Sequence, residues 1–409
     1  MRAPAVLRNP AFDLYWGGVV LSQVGTRAAV AANLYQVYEL TGSTAQVGLV
    51  GVAQAVALIV LSPLGGVIAD RMDRRRLLQY SQMAALVVAV ALAAVTLSGA
   101  ATAGMVVVSS LLATAAATFD QPARQALIPA LVPREQLVDA FALLNPSREL
   151  AVLTGPALAG VLIAAWGPGA VYAFDAVTYA ALVVALTAIR AGTDVPACPR
   201  EPVLRSLRTG LRHVTRRPII GQLMGLDLTA TVFGAYRVLL PAYALDVLHA
   251  GPTGYGLLSA APSAGALLGS VLVFRLVRSH RSGVLVLAST AAYGLVVVGF
   301  AQATGFGPAL ALAALLGVAD AVATTVRQAA VQIETPDEVR GRVSAIYQMA
   351  SRGGPALGDG LMGSAAGALG PVVALTLGGL VPVVAAAATA LCGRTVRTYT
   401  IAGAEPAPH

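Results

Sequence analysis

The chain has 409 residues, 57% of them hydrophobic and 11% charged, less than half the roughly 25% charged share of soluble domains. All 27 basic residues are arginine and the formal net charge is +8. The composition excludes a soluble globular protein. The arginines cluster between apolar runs, which argues for membrane topology and against nucleic-acid binding. Cys198 and Cys392 make no disulfide framework or metal set, and the four histidines lie in loops or at the end of the chain.

The N-terminal MRAPAVLRNPAFDLYW reads as the lead into a retained first helix, because many equally apolar runs follow it. Runs near 20 apolar residues cross about 30 Å of hydrocarbon as helix. Twelve spans are predicted, at 12–38, 44–69, 77–98, 103–121, 138–165, 169–190, 218–247, 253–277, 283–303, 306–328, 338–366 and 370–393. The odd-numbered connections hold Glu39, Asp246 and His249 and no arginine. The N-terminus, the even-numbered connections and the C-terminus hold Arg2, Arg8, Arg71, Arg134, Arg278, Arg340 and Arg394, among others. This asymmetry predicts a multi-pass protein of a bacterial inner membrane with both termini cytoplasmic.

The longest connection, 191–217, divides six spans from six, giving bundles at 1–190 and 218–409. Within it Leu204, Leu207, Leu211 and Val214 recur at helical spacing, as in an interfacial amphipathic helix. The halves repeat. Arg124 and Arg327, Gln125 and Gln328, Pro133 and Pro336, Glu135 and Glu338, and Gly155 and Gly358 all share an offset of 203. That is the pattern of a parallel duplication, with a substrate path between the halves.

Residues 65–78, GGVIADRMDRRRLL, place six charges in a single turn. The arginines obey the positive-inside rule, which leaves Asp70 unexplained. Gly66, Asp70, Arg71, Arg74 and Arg75 resemble the G-x-x-x-D-R-x-G-R-R loop of the major facilitator superfamily, with Asp73 where glycine is usual. The resemblance implies an all-α membrane fold of two six-helix bundles that works by alternating access. It also implies that Asp70 latches onto the start of span eleven, helped by nearby arginines such as Arg124. That start, Thr335-Pro-Asp-Glu338, reads as a capping box with proline at the first helical position. FDQPARQALIPALVPREQL (119–137) and TPDEVRGRVSAIYQ (335–348) narrow the resemblance to the enterobactin-exporter and macrolide-efflux branch. The branch usually has an acid after a glycine in the first helix; here the sequence is Gly25-Thr26-Arg27.

Gly155-Pro156-Ala-Leu-Ala-Gly160 resembles the antiporter motif of drug exporters. Gly155 on span five and Gly265 and Gly269 on span eight are small-residue positions expected to pack span against span. Charges inside spans are costly and point to function. Glu149, Asp227 and Asp320 are the expected proton-coupling carboxylates. Asp120 and Arg124, four apart, are spaced to pair if helical, and Asp320 and Arg327, seven apart, also share a face. Gln23, Arg27, Asn33, Thr231, Phe233, Tyr236, Tyr347 and Arg352 are expected to line the substrate cavity, while Asp175 is expected in a solvated outer position. There is no phosphate-binding loop, nucleophile arrangement or metal set, so neither enzyme chemistry nor a cofactor is expected. The expected function is proton-coupled export of a small amphiphile, a drug or siderophore, by a monomer in the bilayer. The alternatives are an importer or uniporter and a membrane sensor that transports nothing.

Overall fold

The computed structural model describes residues 5–189, 203–276, 282–392 and 394–400. The side chains of 63–71, 203–208, 273–276 and several single positions, Glu338 and Arg352 among them, lie outside that description. The described residues contain no strand. The long helices of the first half are α1 (Pro10–Thr41), α2 (Thr44–Arg71), α3 (Arg74–Leu97), α4 (Ala103–Leu131), α5 (Leu137–Trp166) and α6 (Pro168–Ala188). A connecting helix, α7 (Val203–Arg216), follows. Then come α8 (Pro218–Phe233), α9 (Gly251–Leu276), α10 (Ser282–Ala301), α11 (Phe306–Ile333), α12 (Asp337–Leu369) and α13 (Pro371–Cys392).

Ten stretches of the described residues are long and apolar enough to cross a membrane, the one that begins with α8 running on to Val247. The other two expected spans fall on α1 and α12, which have the length, at 32 and 33 residues, but more charge. Asp13, Arg27 and Glu39 lie on α1, and Arg340, Arg342 and Asp359 on α12. Large apolar side chains such as Val87, Val184 and Leu268 stay exposed at 61%, 66% and 69%, as befits helices whose solvent is lipid.

Local chemistry sets the helix ends. Asn9 caps α1, its side chain accepting from the Ala11 N–H at 3.1 Å, with Pro10 in the first turn. Asp73, the residue that departs from the family loop, is the N-cap of α3: its Oδ1 accepts from the Arg76 N–H at 2.9 Å. Asp73→Ala should therefore cost about 0.5–2 kcal/mol of stability, read as a lower melting temperature of the purified protein. Melting unchanged from wild type would remove the cap from the account.

The offset of 203 extends to these ends. Gly167 (φ 79°) closes α5 and Gly370 (φ 84°) closes α12, each a left-handed position and each followed by proline. Their N–H groups donate to Ile163 and Ala366, both at 2.9 Å, and these two acceptors are themselves 203 apart. Thr102 before α4 and Gly305 before α11 share extended backbone and the same offset. The two halves are thus one helical plan used twice.

The chain separates into two compact units. One holds residues 1–199 and 249–260, the other 200–248 and 261–409. The first unit has an apolar cluster at one end built on Phe12, Leu78, Leu127, Leu182 and Leu186. The second has one built on Ile220, Leu223, Val286, Val326 and Val343. The first ten residues of α9 group with the first unit. Gly160 of α5 and Gly256 of α9 lie so close that a Cβ on Gly160 would stand 2.8 Å from the Gly256 Cα. The Tyr255 hydroxyl also donates to the Ala31 carbonyl at 2.8 Å. Helix α7 belongs to the second unit, where Gly210 packs on the Arg342 carbonyl of α12.

The seventh span is interrupted. Helix α8 stops at Phe233, and the chain then continues through a 3-10 turn (Arg237–Leu239) and a short π segment (Tyr243–Val247). Gly234 at the break and Pro241 after it are the sequence cause. The Tyr293 hydroxyl donates to the Gly234 carbonyl at 3.0 Å, satisfying a group the break leaves free.

Candidate functional site

Helix α11 brings Arg327 into the interior of the second unit, where it is 1% exposed. Its Nη2 lies 2.5 Å from Asp227 Oδ1 on α8. Asp227 is 3% exposed, and its Oδ2 accepts from the Ser351 hydroxyl of α12 at 3.2 Å. The same Nη2 donates to Thr324 Oγ1 at 3.1 Å, and Thr324 donates to Asp320 Oδ1 at 3.3 Å. Two helices, α8 and α11, thus supply a chain of acid, guanidinium, hydroxyl and second acid, and α12 adds the Ser351 hydroxyl. Asp320 and Arg327, which share a face of α11, do not pair directly. The guanidinium is committed to Asp227, and Asp320 stands one hydroxyl away and exposed. Arg327 Nε and Nη1 are buried without an acceptor, so the centre has donors to spare for another anionic oxygen. A buried pair of this kind is weak evidence for stability and stronger evidence for a site that changes state.

The first unit uses the equivalent arginine differently. Arg124 Nε lies 2.5 Å from Asp120 Oδ2, one helical turn away on α4. Gln82 of α3 donates to Asp120 Oδ1 at 2.9 Å, and Ser22 of α1 donates to Gln82 Oε1 at 3.2 Å. The Tyr15 hydroxyl donates to the Arg124 carbonyl at 3.1 Å. The duplication keeps the arginine and draws its carboxylate from the same helix in one half and from a different helix in the other.

A third ion pair joins Arg237 Nη2 to Asp359 Oδ2 at 2.5 Å, between the segment after the break in α8 and α12. Asp359 is 1% exposed. Next to it on α12, Gly358 presses on the end of α8: a Cβ there would lie 2.6 Å from the Thr231 carbonyl. The repeat-related Gly155 does the same to α1, with an added Cβ 2.5 Å from the Arg27 Cβ. Gly155 therefore seats α5 on α1, and the close approach to α9 is made by Gly160, one turn beyond Pro156. Gly265 and Gly269 face α11, where added Cβ atoms would meet the Ala314 carbonyl and Val318. The small-residue stripe of α9 thus packs within the second unit.

The remaining expected residues scatter. Gln23 and Arg27 are half-buried on α1, and Glu149 is exposed on α5. Asn33 is buried and donates from Nδ2 to Ser110 Oγ at 2.9 Å. Thr231 donates to the Asp227 carbonyl at 2.8 Å. Phe233 is exposed where α8 ends, and Tyr236 packs its ring on Phe300 at 6.4 Å. Tyr347 is 5% exposed with its hydroxyl unpartnered. Asp175 is not solvated: it is 5% exposed, wedged against Gly25 of α1.

Around the arginine-rich loop, Arg75 donates from Nε to the Leu186 carbonyl at 2.7 Å and from Nη2 to the Thr187 carbonyl at 3.1 Å. It caps the end of α6, where helix carbonyls lack partners. Arg74 opens α3. Thr335 does not form a capping box. Its hydroxyl donates back to the Val331 carbonyl at 2.5 Å, and Pro336 is an N-cap without a side-chain bond. The helix starts one residue later than expected, with Pro336 in place of Thr335 as its N-cap, and proline has no side-chain acceptor. The side chains of Gly66, Asp70, Arg71, Glu338 and Arg352 lie outside the described residues.

Over residues 2–402 the chain matches the family described as transmembrane secretion effector. It is 29% identical over 375 residues to the enterobactin exporter EntS of Citrobacter koseri, covering 91% of this chain and 89% of that one. It is 28% identical over 372 residues, with the same coverage, to EntS of Salmonella typhimurium. Among solved structures, the nucleoside transporter NupG superposes with a TM-score of 0.77 at 13% identity, covering 94% and 99% of the two chains. A bacterial homologue of the lysosomal transporter Spinster gives 0.73 at 15% identity, covering 97% and 98%. Those two likenesses concern the fold. The duplicated helical plan, the loop at Asp70 and the family match agree that this chain is a multi-pass membrane transporter of the major facilitator superfamily, not an enzyme, and belongs to its transmembrane secretion effector family.

Proposed function

We propose that this transporter exports a small amphiphile of the siderophore type from the cytoplasm across the inner membrane, in exchange for protons. The single observation that carries the coupling is the Asp227–Arg327–Thr324–Asp320 chain. It holds one carboxyl and one guanidinium in a low-dielectric interior, with a second, exposed carboxyl one hydroxyl away, so the charge balance turns on one proton. A carboxylate separated there from its guanidinium takes up a proton, and the pair re-forms when the proton leaves. Alternating access supplies the separation, with Asp70 as a latch on the cytoplasmic side and both termini cytoplasmic. The direction and the substrate class rest on the exporters named above. The spare donors of Arg327 suit an acidic, oxygen-rich solute. The protein works as a monomer, with Arg27 and Gln23 on the same face of α1.

Inverted membrane vesicles carrying the protein, energised by a pH gradient and offered catecholate siderophores, macrolides and dyes, should accumulate at least one of these. Asp320→Asn, which leaves the Asp227–Arg327 pair in place, should lose at least ten-fold in gradient-driven accumulation while retaining substrate binding. A variant that responds to the gradient as wild type does would overturn the coupling role.

A further inference from the structure

Inside the first unit, between α1, α3, α4 and α6, lies a cavity of about 30 Å³. That is room for one or two water-sized occupants. Its polar lining is Asn33, Ser109, Tyr172, Asp175 and Tyr179, and no arginine or histidine lines it. Asn33 is 6% and Asp175 5% exposed. Asn33 Oδ1 and Asp175 Oδ1 are both buried acceptors without a hydrogen bond.

The hydroxyl protons around the cavity are committed elsewhere. Ser109 donates to the Val106 carbonyl and Thr178 to the Asp175 carbonyl, each at 2.8 Å. Tyr172 donates to Gln36 Oε1 at 2.8 Å. Thr26 donates to the Ser22 carbonyl at 2.8 Å, which leaves Tyr179 as the donor in its 2.8 Å bond with Thr26. Asn33 Nδ2 donates to Ser110. The cavity wall therefore presents a carboxylate oxygen, an amide oxygen and hydroxyl lone pairs, with no cation to balance the acid. A buried charge without a partner is costly, so the wall selects a positively charged occupant. With a single acid in the shell, a monovalent ion neutralises the site and a divalent one overcharges it. Hard oxygen ligands suit an alkali ion.

We propose that this cavity is a sodium site, with Asp175 Oδ1, Asn33 Oδ1 and Ser109 Oγ as its protein ligands. It lies in the other bundle from the Asp227–Arg327 centre and does not depend on the transport reading. A bound ion would tie α1, α4 and α6 together.

The test uses the purified full chain in sodium-free choline chloride at constant ionic strength. Adding NaCl should raise the melting temperature by several degrees, saturably, and ²²Na⁺ should bind at about one ion per chain. Asp175→Asn should lose both responses, and Asn33→Ala should weaken binding about ten-fold, while Asp320→Asn retains them. Sodium behaving like choline or potassium on the wild-type protein would overturn the site without any variant. So would an Asp175→Asn protein that binds ²²Na⁺ as tightly as wild type does.

Discussion

Arg327→Met is expected to destabilise the second bundle by about 3–5 kcal/mol, because it leaves the Asp227 carboxylate buried without its guanidinium. Asp227 is 3% exposed, and its other oxygen accepts from the Ser351 hydroxyl, a contact that carries no charge. The double variant Asp227→Leu/Arg327→Met removes both charges and should recover most of the stability, since well-packed apolar residues often replace a buried pair at little cost. Gradient-driven export should be lost in both. Melting of the purified proteins and uptake into inverted vesicles separate the two roles. An Arg327→Met protein as stable as wild type would show that the pair carries no structural weight. A double variant that still exports would show that it carries no coupling.

The features legible in the sequence were those that local pattern encodes. Apolar runs marked the spans, and the glycine, proline and arginine shared at an offset of 203 marked the duplication. The Asp120–Arg124 contact follows from i, i+4 spacing and is formed. Asp320 and Arg327, two turns apart, share a face, yet the guanidinium turns to Asp227, 100 residues away on another helix. No periodicity carries that choice; it depends on how α8 and α11 face each other. Asp175 was misplaced for a similar reason. Its depth along α6 is readable, but its burial against Gly25 of α1 comes from helix packing. The break in α8 did have a signal, in Gly234 and Pro241 flanking Arg237 within one apolar run. Asp73 is the converse case. It seemed an unexplained departure from a family loop, and its reason is an N-cap, which any Asp–x–x pattern before a helix could have suggested.

Gly160→Leu should be the most damaging single change on α5. A Cβ at Gly160 would lie 2.8 Å from both the Gly256 Cα and the Pro252 carbonyl. Both contacts are backbone, so no side chain can swing aside, and α5 and the start of α9 must part. Overpacking of this kind costs about 1–3 kcal/mol before the larger side chain is accommodated. The reciprocal glycine meets the same barrier: a Cβ on Gly256 would stand 2.7 Å from the Gly160 Cα. Gly104→Leu on α4, where no atom lies within 4 Å of an added Cβ, is the control for added bulk. Measured by melting of the purified protein and by the fraction that runs as a single monodisperse peak, Gly160→Leu should fall well below wild type and Gly104→Leu should match it. The contact also has a functional reading, because α9 is the helix whose two ends belong to different compact units. A seam that holds its first ten residues to α5 keeps that portion with the first bundle while the remainder packs on α11 through Gly265 and Gly317. Gly160→Ala places that same Cβ against the backbone and should also lower the melting temperature, by less than leucine does, with altered export and a larger passive leak of substrate. A Gly160→Leu protein that melts and exports as wild type does would mean that the seam bears neither the fold nor the seal.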